Sequence, residues 1–204
     1  MTIIIIIITV ITSILAFLNR DISNKLTFNA YMIKEHNEWY RFFSYGFIHA
    51  DWIHLLVNIY VLYSFGNYVE FKFHEFFGLK ASFYFVILYL GSIGISVISD
   101  YGRHKDNMFY NAVGASGAVS AVVFAFIVFS PLAPMGLIFI PFRLPAVLFG
   151  ALYLIYSIYM AKKGIDNIGH NAHFWGAIFG VVFTIALKPK LVLFFIAQIV
   201  SLLS

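Results

Sequence analysis

Apolar positions along this chain fall into long blocks, with neither the strict alternation of a half-buried strand nor a sustained heptad. Reading from one charge or turn residue to the next gives six stretches: Ile3 to Leu18, Trp52 to Val69, Ala81 to Ser99, Val113 to Ser130, Ala146 to Met160 and Ala172 to Leu187. About 20 mainly apolar residues in a helix cross the hydrocarbon of a bilayer, so the blocks predict six membrane spans. The first block has no Lys or Arg before it and no Ala-x-Ala after it, which predicts a retained span and not a signal peptide. A last apolar run, Leu191 to Leu203, follows Lys188-Pro189-Lys190. It is short for a crossing and predicts either an interfacial helix or a seventh span.

The connectors leave no room for a second, soluble unit, so residues 1–204 read as one transmembrane domain. The longest, Asn19 to Asp51, mixes charges with Phe28, Tyr31, Trp39, Tyr40, Phe42, Phe43, Tyr45 and Phe47. Trp and Tyr favour the membrane interface. The loop is therefore either an aromatic belt or a folded element dipping into the bilayer beside a site. The connector from Pro131 to Pro145 is apolar but carries Pro131, Pro134, Pro141 and Pro145, which remove backbone donors and break helices, so it predicts a hinge.

Composition agrees with the pattern. Hydrophobic residues make up 62% of the chain and charged ones 11%, well below the roughly 25% of a soluble domain. The absence of cysteine excludes a thiol nucleophile, a disulfide framework and a thiolate metal site. A net charge of +4 is spread without any Lys/Arg run, so nucleic acid is not an expected partner; the lipid bilayer is.

Polar residues are costly in hydrocarbon and tend to face a bundle interior or a wet cavity. Here they cluster. The second span is entered through His49 and holds His54 and Asn58, the fourth holds Ser116 and Ser120, and the sixth holds His173, preceded by His170 and Asn171. All three are even-numbered, so on an up-and-down path they run the same way and bring these groups to one shallow level. His54 and Asn58, four residues apart, share a helix face. Small residues around Ser116 (Gly114-Ala115-Ser116-Gly117) and Gly176-x3-Gly180 on the sixth span would let those two helices approach closely.

Singly, each feature has an ordinary reading: a serine among glycines packs helices, and a lone histidine can sit at an interface. Jointly they supply a nucleophile, a base and oxyanion donors at one depth. Other intramembrane chemistries lack their residues. His74-Glu75 is followed by Phe76, Phe77 and Gly78, so no His-Glu-x-x-His zinc motif exists, and every carboxylate lies in a loop or at a helix edge. Charged groups at mid-span and inverted repeats, the marks of a transporter, are missing.

The order His49-x4-His54-x3-Asn58, Gly114-Ala115-Ser116-Gly117, Ala172-His173-x2-Gly176 resembles the rhomboid family of intramembrane serine proteases, and Glu38-Trp39-Tyr40-Arg41 resembles its Trp-Arg motif in the first loop. The resemblance implies an all-α membrane protein, a six-transmembrane-helix rhomboid bundle with the possible extra C-terminal helix noted above. It implies a Ser116–His173 dyad without cofactor or metal, cleaving transmembrane protein substrates near the extracytoplasmic surface of a multi-pass protein. His54, Asn58 and the Ser116 N–H would hold the oxyanion; His49, Gly114, Gly117, Gly176 and Arg41 would support the site, Arg41 structurally. A connector from Ala161 to Asn171 would cap a water-filled cavity. The fifth span, with Phe149, Tyr153, Tyr156 and Tyr159, would be a lateral gate.

Two features depart from the family. On its topology five Lys/Arg (Lys72, Lys80, Arg143, Lys188, Lys190) face the cytoplasm and eight face outward, against the positive-inside tendency. Ser120 stands where several members place an aromatic that stacks on the catalytic histidine, leaving the Ser120 hydroxyl or a water to orient His173. The same scaffold without catalysis, binding membrane substrates uncut, is the alternative function.

Overall fold

Hydrocarbon offers no partner to a backbone N–H or C=O, which restricts lipid-exposed spans to helices or closed barrels. The computed structural model, which describes residues 1–136, 142–164 and 168–201, takes the helical route. Its helices are α1 (Thr2–Leu18), α2 (Arg20–Leu26), α3 (Ala30–His36), α4 (Arg41–Ser44), α5 (Trp52–Phe77), α6 (Ala81–Ser96), α7 (Ile98–His104), α8 (Ser116–Phe129), α9 (Ala146–Lys163), α10 (His170–Leu187) and α11 (Leu191–Val200). The result is an all-α membrane bundle. Length and apolar composition suffice for crossing in residues 52–104, α9 and α10, while α1, α8 and α11 are shorter apolar helices.

Helix α8 is the axis. Nearly every residue from Gly117 to Phe129 is buried, and α5, α6 and α10 pack around it. A helix apolar on all sides is expected at the centre of such a bundle. Its tightest neighbour is α10. A Cβ on Gly176 would collide with the Gly117 carbonyl, and one on Gly180 with the Ala121 carbonyl, so the two backbones touch where any side chain would separate them.

The apolar block beginning at Val113 does not become helical until Ser116. Gly114 has φ +118°, a conformation L side chains rarely adopt, and the strand-like segment before it is bonded elsewhere. Phe28 and Ala112 exchange N–H···O bonds of 3.0 Å, and Gly114 N–H donates to the Tyr45 carbonyl at 3.0 Å. Irregular backbone among buried helices thus finds partners in the first loop.

That loop is a folded element. Phe28, Ala30, Ile33 and Tyr45 are buried in the main core and Ile48 is buried as well, whereas Trp39, Tyr40 and Phe43 are about half exposed. Arg41 is buried and spent on structure: its guanidinium donates to the Asn24 and Thr27 carbonyls at 2.7 and 2.6 Å and to Glu38 at 2.5 Å. One cation thereby ties α2, its C-terminal turn and α4 together.

Helix α5 runs on to Phe77, past the expected boundary at Val69, because its first charge is satisfied inside the fold. Glu70 pairs with the Met1 amino group and accepts from the Thr2 N–H and hydroxyl, both at 2.9 Å. In the proline-rich connector, β1 (Pro134–Met135) and β2 (Leu144–Pro145) form a short antiparallel pair with Pro134 opposite Pro145. The Ala133 and Pro131 carbonyls accept from Ala146 and Val147, both at 2.9 Å, satisfying donors that the start of α9 would otherwise leave open. Pro141, residues 165–167 of the expected cap and residues 202–204 of the last apolar run lie outside the described residues.

Candidate active site

A cavity of about 2600 Å³ opens within the bundle. Three helix starts deliver the polar residues to it: His54 and Asn58 in the first two turns of α5, Ser116 as the first residue of α8, and His173 in the first turn of α10. All four side chains line this one space, together with Gly114, Ser120 and Tyr153. The α8–α10 backbone contact at Gly117 and Gly176 lies one residue after Ser116 and three after His173, so the close packing directly underlies the pair.

Ser116 owes its position to what precedes it. Gly114 lies against His54: a Cβ there would stand 2.5 Å from the imidazole Cε1 and 2.8 Å from Nε2. Only glycine lets the chain turn past that ring. At the start of an α-helix the first N–H groups have no intrahelical acceptor and carry the positive end of the dipole. The Ser116 N–H therefore suits a developing negative charge.

His49 sits behind the cavity. Its Nδ1 meets Ser13 Oγ at 3.0 Å, its Nε2 accepts a long 3.5 Å bond from the Ala115 N–H, and its ring stands edge-on to His54, centroids 4.9 Å apart. Ser13 in turn donates to the Phe47 carbonyl at 3.1 Å. One tautomer satisfies the set, with Nδ1–H donating to Ser13 and Nε2 accepting. Burial, and secondly the nearby His54, push its pKa down to about 3, so the ring is held neutral. His49 thus links α1, the loop before α5 and the residue preceding Ser116.

Asn58 is buried and spends one amide N–H on the His54 carbonyl at 2.9 Å. A carboxamide has two such donors, and the second remains for a ligand at the cavity wall.

Asp100 went unnoticed in the sequence because it reads as a helix edge. Buried at the start of α7, it accepts from Asn171 Nδ2 at 2.6 Å and from the Tyr110 hydroxyl at 3.1 Å. A lone carboxylate closing an apolar block was the available signal. Ser120, whose hydroxyl is one of the two candidates for orienting His173, is engaged with another helix. Its hydroxyl meets that of Tyr153 at 2.8 Å, and the Tyr153 ring stacks on His173 with centroids 6.1 Å apart and planes 22° apart. Of the fifth-span aromatics, Phe149 and Tyr153 line the cavity while Tyr156 and Tyr159 are about half exposed. Among the described residues no group of three or more His, Cys, Asp or Glu could share a metal ion.

A family model of the Rhomboid domain matches residues 36–190. Among curated proteins, the chain is similar to Rhomboid-like protein 11, chloroplastic, of Arabidopsis thaliana, with 31% identity over 170 residues, covering 74% of this chain and 54% of that protein. The match thus spans about half the length of that relative.

Proposed function

The chain belongs to the rhomboid family, and on that premise we propose that it is an intramembrane serine endopeptidase. The observation that carries the reading is the convergence of Ser116, His173, His54 and Asn58 on one cavity from three helices distant in sequence. Neutral His173 accepts the Ser116 proton as Oγ attacks the scissile carbonyl, then returns it to the leaving amine. The acyl-enzyme is opened by water, with His173 again as base. The oxyanion is stabilised by the Ser116 N–H and the His54 and Asn58 side chains, each donor being worth about 3 kcal/mol in serine hydrolases.

Hydrolysis needs water and an unwound peptide, neither of which hydrocarbon supplies. The cavity admits the first from the extracytoplasmic side. Substrates are transmembrane proteins whose spans carry helix-weakening residues near that surface. They enter past α9, whose outward face is exposed at Leu152, Ile155, Tyr156 and Tyr159 and whose buried face is small, with Ala146, Gly150 and Ser157.

A fluorophosphonate probe tests the reading. The purified protein in detergent becomes labelled at Ser116, and Ser116→Ala and His173→Ala abolish labelling. A folded wild-type protein that resists the probe would favour the alternative, a family member that holds membrane substrates without cutting them.

A further inference from the structure

A histidine that takes and returns a proton must keep one orientation through the cycle, and something has to hold its ring. Among the described residues, the rings of Tyr153 and His170 flank that of His173. The face of Tyr153 stacks on it at 6.1 Å and 22°, and His170 stands edge-on at 5.9 Å and 79°. Tyr153 is itself held twice. Its hydroxyl shares a 2.8 Å hydrogen bond with Ser120, which is buried one turn after Ser116, and its ring packs against Phe124 at 5.9 Å. Nucleophile helix, gate helix and base helix are therefore joined through a single side chain: α8 by the hydroxyl, α10 by the ring, and α9 by the backbone that carries it.

We infer that Tyr153 is a positioning residue for His173, its ring fixing the plane of the imidazole while Ser120 fixes the ring. The proposal rests on the dyad reading above. It explains why a serine suffices at position 120: the stacked aromatic comes from the neighbouring helix, and position 120 needs only to bond its hydroxyl. It also ties the base to α9. The helix that a substrate must pass carries the group that orients the imidazole, so displacement of α9 releases His173 from its stacked partner.

Two measurements test this. First, the rate of fluorophosphonate labelling is followed against pH for wild type, Tyr153→Phe, Tyr153→Leu and Ser120→Ala. Loss of the ring in Tyr153→Leu lowers the rate about 10- to 100-fold, the scale of a misplaced catalytic group, and moves the midpoint of the pH profile. Tyr153→Phe and Ser120→Ala, which keep the ring and lose only its tether, fall a few-fold. Ser120→Tyr added to Tyr153→Leu restores labelling by supplying a ring from α8, a rescue that a packing role would not give. Second, the protein is prepared with isotope-labelled histidine and the His173 ring signal, assigned with His173→Gln among the seven histidines, is observed directly. Removing a stacked aromatic shifts that signal downfield.

Wild-type rates and pH midpoint in folded Tyr153→Leu would overturn the inference, and so would an unmoved His173 signal. Should Tyr153→Leu not fold, unchanged pH profiles and ring shifts in both Ser120→Ala and Tyr153→Phe would overturn it equally. A wild-type protein that is never labelled, yet whose His173 signal moves in Tyr153→Leu, would sink the protease reading and leave Tyr153 as the residue that holds the ring.

Discussion

Asn171 donates to Asp100 at 2.6 Å, fastening the first turn of α10, and with it His173 two residues on, to the start of α7. Asp100 is 4% exposed and also accepts from Tyr110, so one carboxylate satisfies two half-buried donors on different segments. Removing an acceptor from such a site costs the desolvation of the groups left behind, about 1–3 kcal/mol. Asp100→Ala is therefore expected to lower the thermal midpoint in detergent measurably, with Asp100→Asn intermediate because one acceptor survives. An unchanged midpoint in Asp100→Ala would show that the contact contributes nothing.

Asn58→Ala leaves the α5 backbone bonded and removes one donor from the cavity wall. On the proposed mechanism it slows turnover about 10²- to 10³-fold, the cost of an oxyanion donor, with little change in thermal midpoint. Cleavage of a membrane substrate, compared by kcat and KM, reads this out, and a variant changed only in KM would remove Asn58 from the oxyanion site.

The contact between α8 and α10 has no space for a methyl group at Gly176. Gly176→Ala should cost about 1–3 kcal/mol through overpacking, and Gly176→Leu should not fold. Gly102→Ala in α7, where a Cβ would meet nothing within 4 Å, is the control and should be neutral or slightly stabilising. Equal melting behaviour of Gly176→Ala and Gly102→Ala would refute the close packing.

The buried His49 gives the fold a pH dependence. Its native pKa, about 3, lies below the ordinary value near 6.5, so acid adds a proton to the unfolded chain more readily than to the native one. The stabilisation it gives is complete above pH 6.5 and drains away as pH falls towards 3. Thermal midpoints should decline over that window. His49→Gln should start lower at pH 7 and decline less steeply, and parallel slopes for the two proteins would count against this assignment.

Much of the architecture was legible because the bilayer imposes simple rules on a sequence. Long apolar blocks had to be helices, and α1, α9 and α10 start within two residues of their blocks. Other ends were hidden by tertiary contacts. Glu70 looks like a helix terminus until Met1 and Thr2 are seen to satisfy it, and Val113 looks helical until Gly114 is seen to be turned and tied to Tyr45. The same division holds at the site. Ser116, His173, His54 and Asn58 could be gathered from their shared place near helix starts, whereas the partners of Ser120 and Asp100 arrive from other segments and leave no spacing to read.

Helix α8 has 14 residues, about 21 Å at 1.5 Å per residue, against roughly 30 Å of hydrocarbon. A segment that reached the far boundary would end about a third of the way short of the near one, with the nucleophilic hydroxyl at its tip. On the proposed reading that shortfall acts as a depth gauge. The bond that is cut is then chosen by how far along a foreign span it lies when drawn in, and a thicker or thinner lipid host moves the cut along the substrate without any change in the enzyme.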